Sequence, residues 1–323
     1  MKIKYVIASA VITAGIISAW DMAYAGNWNS ASSNKTYEIP AKKAEMKSIN
    51  HNKSYGFKVE DKIVRLGSKS QRFEIRHGDC GGDSGYNDCK NDRRRVETIY
   101  DIHSSKAIDK VLWFGYSLYL PEDFQSVTPS NTTIGQLKLV GYRQPIWDLN
   151  VKRRGLTFKA NASRQSCKLM STRLDEIRGK WIDIMIGFDL GKSKKSGEGA
   201  FDGQFAVVYI NGEKEECDIP DPVLTRDMID NRAKKSKSFH FDWGIYNSYV
   251  SRWLDENKTK NPTVKGFVDK HKDSGIAPKS ATNDPWSVDW GVDFPTQVVY
   301  YDEVRVGYSK DAVDINVNKK AVD

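Results

Sequence analysis

The chain has 323 residues, 39% of them apolar and 11% aromatic, which is enough for one large β domain or two small ones around a filled core. Its net charge of +8 and isoelectric point near 9.0 point, in an exported chain, away from genomic nucleic acid and towards an anionic surface or polymer. A lysine-rich solubilising surface is the competing reading, and charge alone does not separate the two.

The N-terminus reads "MKIKYVIASAVITAGIISAWDMAYAGNW": two lysines, an apolar run from Tyr5 to Trp20, then Ala23-Tyr24-Ala25 before Gly26. This is the pattern of a secretory signal peptide over residues 1–25, so a secreted or periplasmic protein is expected, with an uncleaved anchor as the alternative. No second long apolar run follows, so no membrane association is expected after cleavage. Residues 26–50 are polar, lysine-rich and aperiodic and are read as a flexible leader; the domain is expected over 51–312, with a C-terminal tail at 313–323.

From about Tyr55 onward the chain is a series of short alternating segments between turn residues. They include "QRFEIRHG", "RVETIYDIH", "VLWFGYSLYLP", "TTIGQLKLVG", "GLTFKA", "KWIDIMIGFDL", "GQFAVVYINGE", "FHFDWGIYNS" and "TQVVYYDEVRVGY". Such a run with few helical stretches predicts an all-β fold, an antiparallel β-sandwich. Asn-Gly in "INGE" at 210–213 predicts a type I′ hairpin. Helices are expected only at 222–235 and 249–256, both as connections, and "GKSKKSGEG" at 191–199 as a charged loop.

The four cysteines of an exported chain suggest disulfides. Cys80 and Cys89 enclose the turn-rich "GGDSGYND" and are expected to pair, which leaves Cys167 with Cys217 across neighbouring strands. Their spacings fit no zinc motif. Asp79, Asp83 and Asp88 could offer oxygens to calcium but lack EF-hand spacing, so no cofactor is expected.

Three segments place polar groups on one strand face: Arg95 with Glu97, Gln136 with Lys138, and Asp242 with Tyr246 and Ser248. In "FHFDWGIYNS" the opposite face carries Phe241, Trp243 and Ile245, so one side is core and the other is surface or groove floor. A guanidinium, an amide, an amine and a phenol fit β-elimination on a uronic-acid polymer. There the carboxylate opposes loss of the neighbouring C5 proton and must be neutralised, while a base takes that proton and an acid protonates the leaving oxygen.

In order and spacing, "RFEIRHGD", "RRRVET", "LWFGYSLYLPEDF", "GQLKL", "RGKWIDIMIGFDL", "DGQFAVVYINGE", "FDWGIYNS" and "VVYYDEVRVG" resemble the jelly-roll polysaccharide lyases. The group of heparin lyase I and glucuronan lyase is the nearest, alginate lyases more distant. The resemblance covers most of residues 65–310 and implies a jelly-roll lyase of an anionic polysaccharide. It places the arginine of an Arg-x-Glu motif on Arg95 and the glutamine of a Gln-x-His motif on Gln136, both as carboxylate neutralisers. The tyrosine of a Gly-x-Tyr motif falls on Tyr246, as proton donor, with the role of base open to it as well. Gly244 would let a sugar approach the backbone.

Where many relatives carry histidine, this chain has Lys138, as base or carboxylate ligand, with His77 as a replacement base from another strand. Arg93, Arg143, Trp147, Lys152, Arg154 and Tyr301 complete the substrate-binding candidates; core packing competes for Tyr301, and a solvated loop for the basic residues. The chain is expected to be a monomer. A non-catalytic glycan-binding module and a glycoside hydrolase are the alternatives; the second lacks a closely spaced carboxylate motif.

Overall fold

The structure, a computed structural model, describes residues 36–49, 53–82, 88, 91–103, 110–140, 144–161, 165–169, 171–189, 205–216, 238–257, 287 and 293–323. The strands are β1 (Thr36–Glu38), β2 (Ser48–Ile49), β3 (Phe57–Glu60), β4 (Ser70–Ile75), β5 (Arg93–His103), β6 (Val111–Tyr119), β7 (Asn131–Leu139), β8 (Trp147–Lys152), β9 (Gly155–Ala160), β10 (Gln165–Lys168), β11 (Trp181–Asp189), β12 (Phe205–Ile210), β13 (Glu213–Lys214), β14 (Ser238–Ser248) and β15 (Gln297–Gly307). Short helices are α1 (Ala41–Lys47), α2 (Leu174–Ile177), α3 (Val250–Asn257) and α4 (Lys310–Val313).

The strands form two antiparallel sheets. One is eight-stranded, in the order β13-β12-β11-β6-β15-β4-β3, with β1 pairing β15; the other is seven-stranded, in the order β10-β9-β8-β7-β14-β5-β2. Period-2 alternation decides what each strand buries. On β14, Phe239, Phe241, Trp243 and Ile245 are fully buried on one face, leaving His240, Asp242 and Tyr246 on the other. Phe241 meets Phe114 of β6 at 4.0 Å between ring centroids, which joins the two sheets through one aromatic core. The Asn211–Gly212 turn carries φ of 51° and 88°, as the hairpin sequence predicts.

Residues within the stretch expected to be a flexible leader are anchored from Thr36 on. Strand β1 pairs with β15, and α1 buries Ala41 and Ala44, whose carbonyl accepts a hydrogen bond from Thr98 Oγ1 at 2.8 Å. The C-terminal residues also dock: Val322 is buried and Asp323 Oδ1 accepts the Ser68 and Lys69 N–H groups at 2.6 and 3.0 Å. The helix expected at 222–235 and the loop at 191–199 lie outside the described residues. Cys80 and Cys167 are disulfide-bonded, and their expected partners Cys89 and Cys217 also lie outside them. Among the described residues no helix is long and apolar enough to cross a membrane.

Two bulges shape the seven-stranded sheet. Pairing of β14 with β7 slips between Asp242 and Tyr246, and pairing of β7 with β8 slips between Thr133 and Gly135. Carbonyls freed at the bulges need donors, and Tyr301, reaching across the core, places its hydroxyl 2.7 Å from Ile134 O and 2.8 Å from Gly244 O. Gly244 sits at φ 134°, and a Cβ there would lie 2.4 Å from Val96 O and 2.8 Å from Glu97 Cα. Its missing side chain therefore serves close strand packing; the space expected for a sugar is filled by β5.

Candidate active site

Register on the core-opposed face of the seven-stranded sheet arranges polar side chains in rows across the strands. Arg93 pairs with Ser248, which pairs with Asn131, and Lys152 donates to Asn131 Oδ1 at 2.5 Å. Next come Arg95, Tyr246, Thr133 and Asn150. Glu97 faces Gly244 at the bulge, then Asp242, Gln136 and Asp148 share a row, and Asp101, His240 and Lys138 form the last.

Tyr246 is half-buried and held by two arginines. Arg93 Nε donates to its phenol oxygen at 2.6 Å, and the Arg95 guanidinium carbon lies 4.2 Å from the ring centroid. Burial pushes the phenol pKa up, the two arginines pull it down, and Asp88 and Glu97 push it up again, so the phenol stays above its ordinary value. Because its oxygen accepts from Arg93, the phenol proton points away from that guanidinium.

Arginine alternation explains the triple arginine. Arg93 and Arg95 share the groove face, while Arg94 turns inward and donates to Asn247 Oδ1, Arg76 O and Pro295 O at 2.6, 3.0 and 2.8 Å. Burial lowers its pKa to about 9.

Arg95 is already committed. Its Nε and Nη2 donate to Asp88 at 2.5 and 2.7 Å, and Nη1 to Glu97 at 3.4 Å. Burial works against its charge, but Asp88 holds the guanidinium well above its ordinary value. Gln136 is committed too, since its Nε2 donates to Glu97 Oε1 at 3.0 Å and to Asp242 Oδ2 at 3.3 Å. Burial and the Glu97 charge push the Asp242 carboxyl well up; Glu97 rises through burial but is opposed by Arg95.

Thus Arg95 and Tyr246 come together as expected, and Gln136 joins them through Glu97. Lys138 does not. It pairs with His240, six residues along β14 from Tyr246, a separation on the order of 15–20 Å at about 3.3 Å per residue. The Tyr246 hydroxyl also points the other way, to Arg93. His240 Nε2 lies 3.7 Å from Asp101 and Nδ1 4.0 Å from Asp242; burial pulls its pKa down, against Asp101 and with Lys138.

Several substrate-binding expectations are corrected. Trp147 is fully buried against Phe114, Phe158, Phe188 and Phe241, because it shares the core-facing side of β8 with Leu149 and Val151. Tyr301 is likewise core, supporting the bulges. His77 follows β4 of the other sheet and its Nδ1 accepts the Phe294 N–H at 2.9 Å, so it serves as a loop support there. Arg154 is an exposed turn residue, and Arg143 lies outside the described residues. Lys152 is on the face as expected; burial lowers its pKa against the pull of Asp148. Of the calcium candidates, Asp79 accepts from Tyr55 Oη and Arg76 N at 2.8 and 2.7 Å, Asp88 holds Arg95, and Asp83 lies outside the described residues. Sequence reading assigned no role to Glu97, Asp242 or Asp88 in this network; the Arg-x-Glu spacing is the signal that places Glu97 beside Arg95.

The core-opposed face of the seven-stranded sheet thus carries ordered rows of arginine, tyrosine, amide and carboxyl groups, most of them buried. Residues 40–305 match the polysaccharide lyase family, and the chain belongs to it. No curated protein matches the chain. Among solved structures, the endo-β-1,4-glucuronan lyase of the fungus Trichoderma reesei shares its fold, with TM-score 0.51 and 15% identity over 87% of this chain and 97% of that one. An alginate lyase from Corynebacterium sp. is similar at TM-score 0.43 and 11% identity, over 84% and 99% of the two chains. The protein is a polysaccharide lyase.

Proposed function

We propose that the protein is an exported lyase that cleaves a uronic-acid-containing polysaccharide by β-elimination, with Tyr246 moving the proton. The observation that carries this reading is the half-buried Tyr246 phenol fixed between Arg93 and Arg95 on the core-opposed sheet face. Both arginines stabilise a phenolate, and Lys138 and His240 are too far along the strand to share one glycosidic bond with it.

Where the C5 hydrogen and the leaving oxygen lie on one face of the sugar, one residue can serve both steps. Tyr246 phenolate takes the C5 proton as that C–H bond breaks; the electrons form the C4=C5 double bond as the C4–O bond breaks. The new phenol then gives its proton to the departing oxygen, which regenerates the phenolate. Because burial raises the phenol pKa, the reactive phenolate grows with pH, so kcat/KM should climb across the alkaline range.

Glucuronan, the polymer named for the fungal enzyme of similar fold, is the first to test, with alginate beside it. The assay is ultraviolet absorbance of the unsaturated uronyl end, which elimination makes and neither hydrolysis nor binding does. Depolymerisation with no such absorbance, or binding alone, would refute the reading.

A further inference from the structure

The groups expected to neutralise the substrate carboxylate are both spent inside the protein. Asp88 takes Arg95 through two hydrogen bonds, and Glu97 and Asp242 take the Gln136 amide. A carboxylate arriving there would meet three internal acids and displace charge-assisted bonds already made.

One row away the balance reverses. Arg93 gives Nε to Tyr246 and Nη1 to Asn91 O, and among the described residues no carboxylate oxygen lies within ion-pair distance of it. Its guanidinium carbon lies 5.8 Å from the Tyr249 ring, and that of exposed Arg252, on α3, lies 4.0 Å from the same ring. Arg252 also has no acid partner at ion-pair distance among the described residues. Asp92, whose carboxylate both arginines influence, uses its two oxygens on Ser251 N and Oγ, each at 2.7 Å. Lys152 stands in the Arg93 row, three strands away.

Tyr249 itself is unusual. It is a large ring left 43% exposed, between β14 and α3, at φ 58°, a conformation costly for a bulky residue and typical of ligand clamps. Its carbonyl is pinned by Ser130 Oγ at 2.6 Å and by Arg252 N at 3.0 Å, which holds the residue at the strand-to-helix corner.

Resting on the proposed function, we infer that the Arg93–Tyr249–Arg252 corner is the uronate-binding subsite. Arg93, through N–H groups without a partner among the described residues, receives the carboxylate of the sugar that loses its C5 proton, and Tyr249 with Arg252 holds the neighbouring uronate. The geometry suits the chemistry, because the carboxylate is bonded to C5 and Arg93 already touches the phenol that takes the C5 proton. Arg95 then acts on Tyr246, through the ring, and leaves the substrate carboxylate to Arg93.

The test uses Tyr246→Phe protein, which keeps the ring while blocking turnover, and calorimetric binding of glucuronate and alginate tetrasaccharides with their carboxyl-reduced counterparts. Loss of one charge-assisted contact predicts that Arg252→Gln weakens binding of the better acidic tetrasaccharide about tenfold, and that Arg93→Gln does so at least as much. Binding of the reduced sugars should be weak and equal in all three proteins. In the active chain Arg252→Gln should place the larger share of its loss in KM, and Arg93→Gln should also move the alkaline limb to higher pH. Parent-like affinity in both variants, equal loss for acidic and reduced sugars, or no binding of either tetrasaccharide would overturn the subsite. Failure of the proposed function reads differently: the unmodified chain would bind acidic sugars through these arginines yet form no unsaturated ends.

Discussion

Replacing Asp88 with asparagine tests the wiring of the site from one of its most buried members. Asp88 is 1% exposed and the Arg95 side chain 11%, so Asp88→Asn would leave a guanidinium with one neutral acceptor in place of a bidentate carboxylate. Breaking a buried pair typically costs about 3–5 kcal/mol, and the remaining acceptor brings the expected loss to roughly 2–4 kcal/mol. That is a large part of a total stability of about 5–15 kcal/mol and corresponds to a fall in Tm on the order of 5–15 °C for a domain of this size. A second effect acts on the chemistry. Asp88 pushes the Tyr246 phenol up, so its removal lets the phenolate form sooner and the alkaline limb of kcat/KM moves to lower pH. Calorimetry and a pH–rate profile on the same preparation read both effects. Stability unchanged within about 0.5 kcal/mol, together with an unmoved limb, would refute the pairing and its influence on Tyr246.

Gly244→Ala forces a Cβ into Val96 O at a residue with φ 134°, and should cost roughly 2–5 kcal/mol from strain and overpacking while depressing turnover through the displaced bulge; a native-like melting curve would contradict this. Lys138→Ala should leave turnover within the same order of magnitude as the parent, whereas loss as deep as that of a Tyr246 variant would make lysine the base. Burial raises Asp302 to about 6 and Glu303 to about 7. The folded state therefore binds more protons than the unfolded one between their ordinary and raised values. Their contribution is full below pH ~4 and is lost as pH rises through about 6 and 7, on the order of 1–3 kcal/mol per group, and Glu303→Gln should flatten that fall in chemical denaturation.

Much of the fold was legible because period-2 alternation is strong in this chain. "FHFDWGIYNS" separates core rings from polar groups residue by residue, and β14 follows it. "WDLNVK" alternates just as cleanly, yet the expectation of Trp147 in the groove fails, because a single aromatic carries no sign of which face it will take until its neighbours are paired. The Arg-x-Glu and Gly-x-Tyr spacings singled out Arg95 and Tyr246, which strand pairing brings into contact. What they could not show was competition: Asp88 reaches Arg95 from a loop, and Glu97 claims Gln136 across two strands, so groups read as free for substrate are satisfied internally. Strand register sets Lys138 opposite His240, six residues from Tyr246, which no local pattern encodes. Tyr249 and Arg252 escaped notice because their significance lies in a strand-to-helix corner that only the fold assembles.

In the proposed mechanism proton transfer rests on one hydroxyl. Tyr246→Phe keeps the ring against Arg95 and removes only the oxygen that Arg93 touches. Initial rates of unsaturated uronyl formation, measured on the polymer the parent cleaves best, should fall to near background in this variant while affinity for the polymer stays similar. Elimination by Tyr246→Phe at a rate comparable to the parent would contradict the account.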